Sequence, residues 1–135
     1  MSEDNKAIVR RWVDEMCGQR NLSVGDEIFA ADVVDHDPIP GQAPGVEGQK
    51  QVLREVFAAF PDFHSRAEEI ISEGDRVMLR WTATGTHQGD FFGAKPTGKR
   101  ITYKGIDSLR IADGKIVERW GVSDDLDLLQ QIEAI

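Results

Sequence analysis

Residues 113–126 read Asp-Gly-Lys-Ile-Val-Glu-Arg-Trp-Gly-Val-Ser-Asp-Asp-Leu, and this stretch decides the fold class. Asp113-Gly114 predicts a tight hairpin turn, because Asp-Gly readily adopts the positive φ angles that such a turn needs. The next residues, 115–123, read as a strand, and apolar residues beyond them predict a short amphipathic helix. The end of the chain is therefore a hairpin whose second strand runs into a helix.

The rest of the chain supplies more strands and two earlier helices. Segments near 63–72, 76–87 and 99–111 also read as strands, and Gly85 inside one of them suggests a bulge or bend. Apolar residues at helical spacing predict a first helix over about 4–17 and a second that ends before Pro61. Helices first and a meander afterwards indicate a single α+β domain over residues 1–135. We expect a curved antiparallel sheet packed against the N-terminal helices, enclosing a cone with a ligand site.

Composition limits the partners that the protein can have. The chain has 24 acidic and 16 basic side chains, a formal net charge of −8, so we expect no nucleic-acid partner. Cys17 is its single cysteine, which excludes an internal disulfide and fits a reducing compartment. The sequence has neither an apolar run of transmembrane length nor a signal peptide, so we expect a cytoplasmic protein without membrane contact.

Several familiar catalytic motifs are absent from the sequence. It has no glycine-rich dinucleotide fingerprint, phosphate-binding loop, Cys-x-x-Cys, nucleophile elbow or His-Glu-x-x-His. Hydride transfer with a bound dinucleotide, phosphoryl transfer and zinc hydrolysis are therefore disfavoured, and we expect no metal and no cofactor.

Asp124 is the first candidate for acid/base chemistry. A carboxylate at a strand end beside Trp120 is partly desolvated, which raises its pKa toward working pH. Asp124 could instead cap the C-terminal helix, but Asp125 can cap equally well and would leave Asp124 free for the pocket. We expect Trp120 on the pocket wall.

Asp107, in the middle of a strand, is a second candidate. Its alternation with Tyr103 and Leu109 suggests that its side chain points into the cone. A second carboxylate near Asp124 would raise the pKa of one of the two, whereas a partner such as Arg80 would keep Asp107 ionised in a structural salt bridge. His87 either hydrogen-bonds the adjacent loop or lines the cone mouth, and we favour the structural role.

The chain resembles the SnoaL-like polyketide cyclase (ester cyclase) family, which has the NTF2-like cone fold. The similar segments occur in order along nearly the whole chain: Phe57–Asp62, Arg80–Gly89, Pro96–Lys99, Asp113–Glu118 with Trp120, and Asp124 with Leu128–Gln131. In the family's cyclases an aspartate at the position of Asp124 is the acid/base of a metal-free intramolecular aldol ring closure. The resemblance thus implies that role for Asp124.

The resemblance also places two further residues near the pocket. The hydrogen-bonding group deeper in the family's pocket would fall at His36, where imidazole can also donate a proton, although a solvated loop histidine is the alternative. Val122 lies on the same strand face as Asp124 if the strand is regular, and valine cannot support an enolate as a polar side chain would.

Together these features predict a cofactor-independent acid/base enzyme that acts on a small hydrophobic carbonyl or polyketide-like compound by aldol cyclisation. Isomerisation, dehydration or epoxide hydrolysis on the same scaffold is the first alternative, and it would be favoured if Asp107, Asp124 and Arg80 shared one pocket. A non-catalytic ligand-binding module is the second, favoured if Asp124 faces solvent and His36 lies far from it. We also expect a homodimer through the outer sheet face.

Overall fold

The computed structural model describes residues 2–134. The helices are α1 (Ser2–Arg11), which continues as a wider π-helical segment over Trp12–Gly18, a 3₁₀ turn at Leu22–Val24, α2 (Gly25–Ile28), α3 (Gly45–Ala59) and α4 (Asp125–Gln131). The strands are β1 (Phe29–Asp35), β2 (His64–Glu73), β3 (Arg76–Thr86), β4 (Arg100–Ala112) and β5 (Lys115–Ser123).

The five strands form one curved, open sheet in the order β1-β5-β4-β3-β2. Neighbours among β2 to β5 are antiparallel, as expected, whereas β1 runs parallel to β5 and makes the sheet mixed. β1 extends the sheet because its apolar side chains, Phe29 and Val33, are buried in the core. This added strand brings Asp35 beside Arg119 of β5.

The helices cover the concave face of the sheet, as the α+β reading predicts. Side chains of α1 and its π-helical extension pack with those of β1, β3 and β4 in one continuous core, including Val9, Met16, Phe29, Leu79 and Leu109. A smaller apolar cluster joins the end of α3 to α4 through Phe60, Ile101, Leu128 and Ile132. Burial of these surfaces is the main stabilising term of the fold.

Gly85 lies in a regular part of β3 and not in a bulge. The β3–β4 pairing continues through it without a shift in register, and the β2–β3 shift falls between Ala67 and Glu69. A Cβ at Gly85 would lie 3.0 Å from Cβ of Phe60, so glycine is needed there for close packing. In the part of the chain described, no helix has the length and apolarity to cross a membrane.

Candidate active site

A cavity of about 740 Å³ opens between the helices and the concave face of the sheet. Its apolar wall is largely aromatic and aliphatic, with contributions from Trp12, Leu53, Val56, Phe63, Trp81 and Phe91. Six carboxylates also line it: Asp35, Asp37, Glu55, Asp90, Asp107 and Asp125. Arg119 is the one cationic residue among the described lining residues. The surroundings therefore disfavour an anionic ligand.

Arg119 ties two of these carboxylates together on the cavity floor. Its Nη1 donates to both oxygens of Asp35, at 2.9 and 3.0 Å, while its Nε donates to Oδ1 of Asp107 at 3.0 Å. The two carboxylate side chains are only 8% and 4% exposed. A buried charge of this kind is tolerated only when it is paired and hydrogen-bonded.

The two carboxylates differ in how fully their oxygens are occupied. Asp35 accepts three further hydrogen bonds, from the side-chain amides of Gln42 and Gln49 and from the backbone N–H of Asp37, which leaves it saturated. On Asp107, Oδ1 meets Arg119 and Oδ2 accepts only the indole N–H of Trp81 at 3.0 Å. Since a carboxylate has about four acceptor positions, Asp107 Oδ2 keeps one open.

The same environments move the two pKa values apart. Burial acts to raise the pKa of Asp35, but Arg119 and the surrounding N–H donors outweigh it and hold that pKa below the usual range. Burial raises the pKa of Asp107 above its usual value, opposed by Arg119 and the Trp81 indole. A pair of carboxyls with opposed shifts is an arrangement from which enzymes obtain a fixed anion and a proton carrier.

Two strand glycines make room for this cluster. A Cβ on Gly121 would overlap both Nη2 of Arg119 and Oδ1 of Asp107, so the ion pair lies directly over this residue. A Cβ on Gly105 would lie 2.5 Å from Cζ2 of Trp81, whose indole covers that position. Only residues without a side chain allow these neighbours to approach the backbone so closely, so both glycines are part of the site.

A second polar group lies at the C-terminal end of β5. Tyr103 donates a short hydrogen bond to Oδ1 of Asp125, and Oγ of Ser123 donates to the same oxygen at 3.1 Å. Tyr103 Oη and Ser123 Oγ are 2.8 Å apart, and all three residues line the cavity. Burial, followed by the Asp125 carboxylate, raises the pKa of Tyr103, so its hydroxyl stays protonated.

The structure reverses the expected division between the two aspartates at the start of α4. Asp124 is exposed and caps the helix, with Oδ1 accepting the backbone N–H of Asp127 at 3.2 Å, and it is not a lining residue. Asp125 instead lines the cavity. The strand phase explains the exchange, because Arg119, Gly121 and Ser123 face inward and the residues between them face outward.

His36 and Trp120 lie together on the outer side of the sheet. Their rings are stacked with centroids 4.4 Å apart, and Nε2 of His36 is 3.1 Å from Oε1 of Glu118. Neither residue lines the cavity, and the guanidinium of Arg76 lies 4.7 Å from the Trp120 ring. The structure therefore does not bring His36 and Asp124 together in the cavity, and Trp120 is not part of its wall.

The remaining predicted residues are divided between the cavity and the core. Asp107 and Tyr103 line the cavity. Val122 also borders it, but it alternates with Gly121 and Ser123 along β5 and is 76% exposed on the outer face. His87 is fully buried against Phe60, with Nδ1 3.1 Å from the Thr97 hydroxyl, and it does not line the cavity. Arg80 pairs with Glu69 at 3.6 Å, so it is not the partner of Asp107.

The sequence analysis missed Asp35, Arg119, Gln49, Ser123 and Asp125 as site residues. One signal could have found part of this set: Arg119, Gly121 and Ser123 alternate as small or polar residues along β5, whereas Trp120 and Val122 between them are apolar. The pairing of Asp35 with Arg119 joins residues far apart in sequence and leaves no such trace. Within residues 2–134, no group of three or more His, Cys, Asp or Glu side chains is placed to hold a metal ion.

The fold agrees with the comparison to known families. The family model for SnoaL-like polyketide cyclases matches residues 7–132. The chain therefore belongs to the SnoaL-like polyketide cyclase family, and it has the NTF2-like fold. No protein in the curated collections matches it.

Solved structures of similar proteins cover nearly the whole chain. AclR of Streptomyces galilaeus, a proposed hydroxylase, is 30% identical with a TM-score of 0.86, over 100% of this chain and 84% of AclR. IdmH of Streptomyces antibioticus, a proposed polyketide cyclase, is 31% identical with a TM-score of 0.82, over 96% of this chain and 98% of IdmH. TsrD of Streptomyces laurentii has a TM-score of 0.90 at 22% identity, over 98% of this chain and 97% of TsrD, a likeness of fold alone.

Proposed function

We propose that this protein is a cofactor-independent acid/base enzyme that acts on a small, neutral, hydrophobic carbonyl compound, with intramolecular aldol cyclisation as its reaction. The observation that carries the proposal is the open acceptor position on Oδ2 of Asp107, a buried carboxyl with a raised pKa in an apolar cavity. Membership of a polyketide cyclase family and the likeness to IdmH support the same reaction class.

In this mechanism Asp107 removes a proton from the carbon next to the substrate carbonyl. Arg119 positions Asp107, and the saturated Asp35 holds Arg119 in place. The resulting enolate carbon attacks a second carbonyl of the same molecule, a carbon–carbon bond forms, and the protonated Asp107 returns the proton to the new alkoxide. An anionic substrate is disfavoured, because six carboxylates line the cavity.

The test is deuterium exchange next to the carbonyl of small aryl ketones, followed by NMR in D₂O. Exchange reports proton removal whatever reaction follows. We expect the Asp107→Asn variant to lose about 10²–10⁴-fold in exchange rate, the usual contribution of an acid/base group. Asp124→Asn is the matched control, since it removes a carboxylate that caps α4 outside the cavity. Loss of exchange in Asp124→Asn alone would support the assignment predicted from the sequence instead.

A hydrolytic or isomerising reaction is the second candidate. Two carboxylates on one guanidinium, with one acceptor position open, could equally hold and activate a water molecule. This reaction on an epoxide would transfer ¹⁸O from labelled water to the product, whereas ring closure would not. Mass spectrometry of the product distinguishes the two.

The non-catalytic alternative predicts tight ligand binding without exchange. It gains support from the exposed, capping position of Asp124. The buried Asp35–Arg119–Asp107 cluster favours the enzyme, since a site that only binds apolar ligands gains nothing from buried charges that are costly to desolvate.

We also propose a homodimer through the outer sheet face and a cytoplasmic location. Ile106 and Val122 are opposite each other on β4 and β5, 48% and 76% exposed, and Ile71 and Met78 extend the apolar patch. A second copy of the same face would bury it. The cytoplasmic location is supported by the single cysteine of the chain, Cys17, which leaves no internal disulfide and fits a reducing compartment.

A further inference from the structure

We propose that the hydroxyls of Tyr103 and Ser123 are the oxyanion donors of this cavity, the groups that bind the substrate oxygen as it becomes negative. The inference rests on the proposed function and adds the second half of its chemistry. Tyr103 and Ser123 touch the substrate oxygen, and Asp125 holds their hydrogens in place until a substrate arrives.

The need for such donors follows from how the other hydrogen-bond donors are used. Taking a proton from carbon leaves negative charge on the carbonyl oxygen, and enzymes stabilise it with fixed N–H or O–H groups. The guanidinium of Arg119 is already divided between Asp35 and Asp107. The indole N–H of Trp81 is bonded to Asp107, and the Gln49 amide to Asp35. Each of these groups is held in its direction by a buried carboxylate.

The two hydroxyls differ from those donors because an O–H can rotate about its C–O bond. Both are directed at a single oxygen, Oδ1 of Asp125. Asp125 is exposed, so water can replace the hydroxyls around it when they turn to a ligand. The exchange of partners therefore leaves no buried carboxylate unsatisfied.

The spacing of the two polar groups fits a single carbonyl compound. Gly105 of β4 pairs with Ser123 and Asp107 pairs with Gly121, so Ser123 lies two residues along the strands from Asp107. Two residues of strand span about 7 Å. A ketone whose oxygen accepts from Ser123 and Tyr103 would thus place its α-carbon toward Oδ2 of Asp107. The Trp81 indole, which covers Gly105, forms the surface between the two groups.

The step balances without any other reactant. The α C–H bond breaks and its proton goes to Asp107, while the electron pair forms the C=C bond of an enolate whose oxygen is held by the two hydroxyls. In ring closure the enolate carbon attacks the second carbonyl, the first carbonyl re-forms on the oxygen held by the hydroxyls, and the new alkoxide on the second oxygen takes the proton back from Asp107.

The experiment uses 2-acetylnaphthalene labelled with ¹³C at the carbonyl, with two readouts on the full chain. Infrared spectroscopy of the bound probe measures the C=O stretching frequency, which falls when the oxygen accepts strong hydrogen bonds. NMR measures deuterium exchange into its methyl group. Saturable quenching of tryptophan fluorescence establishes binding first, with acetophenone as a smaller second probe.

We expect a lowered C=O frequency on the wild-type protein and a return toward the non-hydrogen-bonded value in Tyr103→Phe. Exchange should fall about 10²–10³-fold in Tyr103→Phe, as for the loss of one oxyanion donor, and less in Ser123→Ala. Asp107→Asn should reduce exchange by about 10²–10⁴-fold but keep the lowered frequency. Thr102→Val is the control, because Thr102 is exposed and neighbours Tyr103 on the opposite face of β4.

Three outcomes would overturn the inference. They are an unchanged C=O frequency in both Tyr103→Phe and Ser123→Ala, an equal effect of Thr102→Val, and the failure of both ketones to bind. Failure of the proposed function is distinct: the frequency shift would depend on Tyr103 while exchange survived in Asp107→Asn. Ser123→Ala keeps the test decisive if Tyr103→Phe does not fold.

Discussion

Replacing Arg119 by methionine should destabilise the protein strongly at neutral pH and much less in acid. Methionine keeps most of the side-chain volume but removes the cation between Asp35 and Asp107, whose side chains are 8% and 4% exposed. Breaking a buried ion pair by removing one partner costs about 3–5 kcal/mol. The loss of stability has a limit, because an unpaired buried aspartate can take up a proton instead of staying charged. Protonating an ordinary aspartate at pH 7 costs about 4 kcal/mol.

The pH dependence follows from the sign of each shift. In the wild-type protein the lowered pKa of Asp35 contributes stability that is present above its unfolded pKa and is lost as pH falls through the folded value. Without Arg119, the largest opposition to burial is removed, so the folded pKa values of both carboxyls rise relative to the wild-type protein, opposed only by the remaining N–H donors. Their neutral forms are then favoured, so the variant regains stability relative to wild type as pH falls from 7 toward 4.

Urea unfolding followed by tryptophan fluorescence at pH 7, 5.5 and 4 measures both effects. Arg110→Met is the matched control, because Arg110 forms an ion pair with Glu118 on the partly exposed outer face, and we expect little change there. The double variant Arg119→Met/Asp107→Asn should recover part of the loss, since one unpaired carboxylate is gone. A loss below about 1 kcal/mol, or one that is the same at all three pH values, would refute the buried-pair reasoning.

Three further predictions follow from the same contacts. Trp81→Phe removes a hydrogen bond that lowers the pKa of Asp107, so the acidic limb of the exchange-rate profile should move to higher pH; an unmoved limb would exclude Asp107 as the titrating group. Gly121→Ala should lower the free energy of unfolding by about 1–3 kcal/mol, and it should slow deuterium exchange because the new methyl group displaces Arg119 from Asp107. Gly18→Ala is the control: its Cβ would lie 3.4 Å from the backbone oxygen of Val13, so neither quantity should change. Ile106→Asp should convert a dimer to a monomer in light scattering, and a wild-type monomer would contradict the proposed interface.

The sequence predicted the strands of the meander well because their signals are local. The bounds of β2 to β5 fall within one residue of the expected segments, and Asp113-Gly114 forms the tight turn between β4 and β5. The mixed character of the sheet was not predictable in this way. β1 is a short edge strand whose partner, β5, lies more than 80 residues further along the chain, and only tertiary packing selects that pairing.

The candidate site was predicted in part, and the error has a physical cause. The resemblance assigned Asp124 to the pocket, and Trp120 and Val122 share its face in a regular strand, so that face was expected to turn into the cone. The structure has the opposite phase along the last half of β5: Arg119, Gly121 and Ser123 face the ligand space, while Trp120 and Val122 face outward. An apolar outer face can persist only if something covers it, whereas a charged inner face can persist only if its charges are paired. The stacked His36–Trp120 pair and the Asp35–Arg119–Asp107 cluster are thus two results of one strand phase, and a one-residue shift of β5 would destroy both.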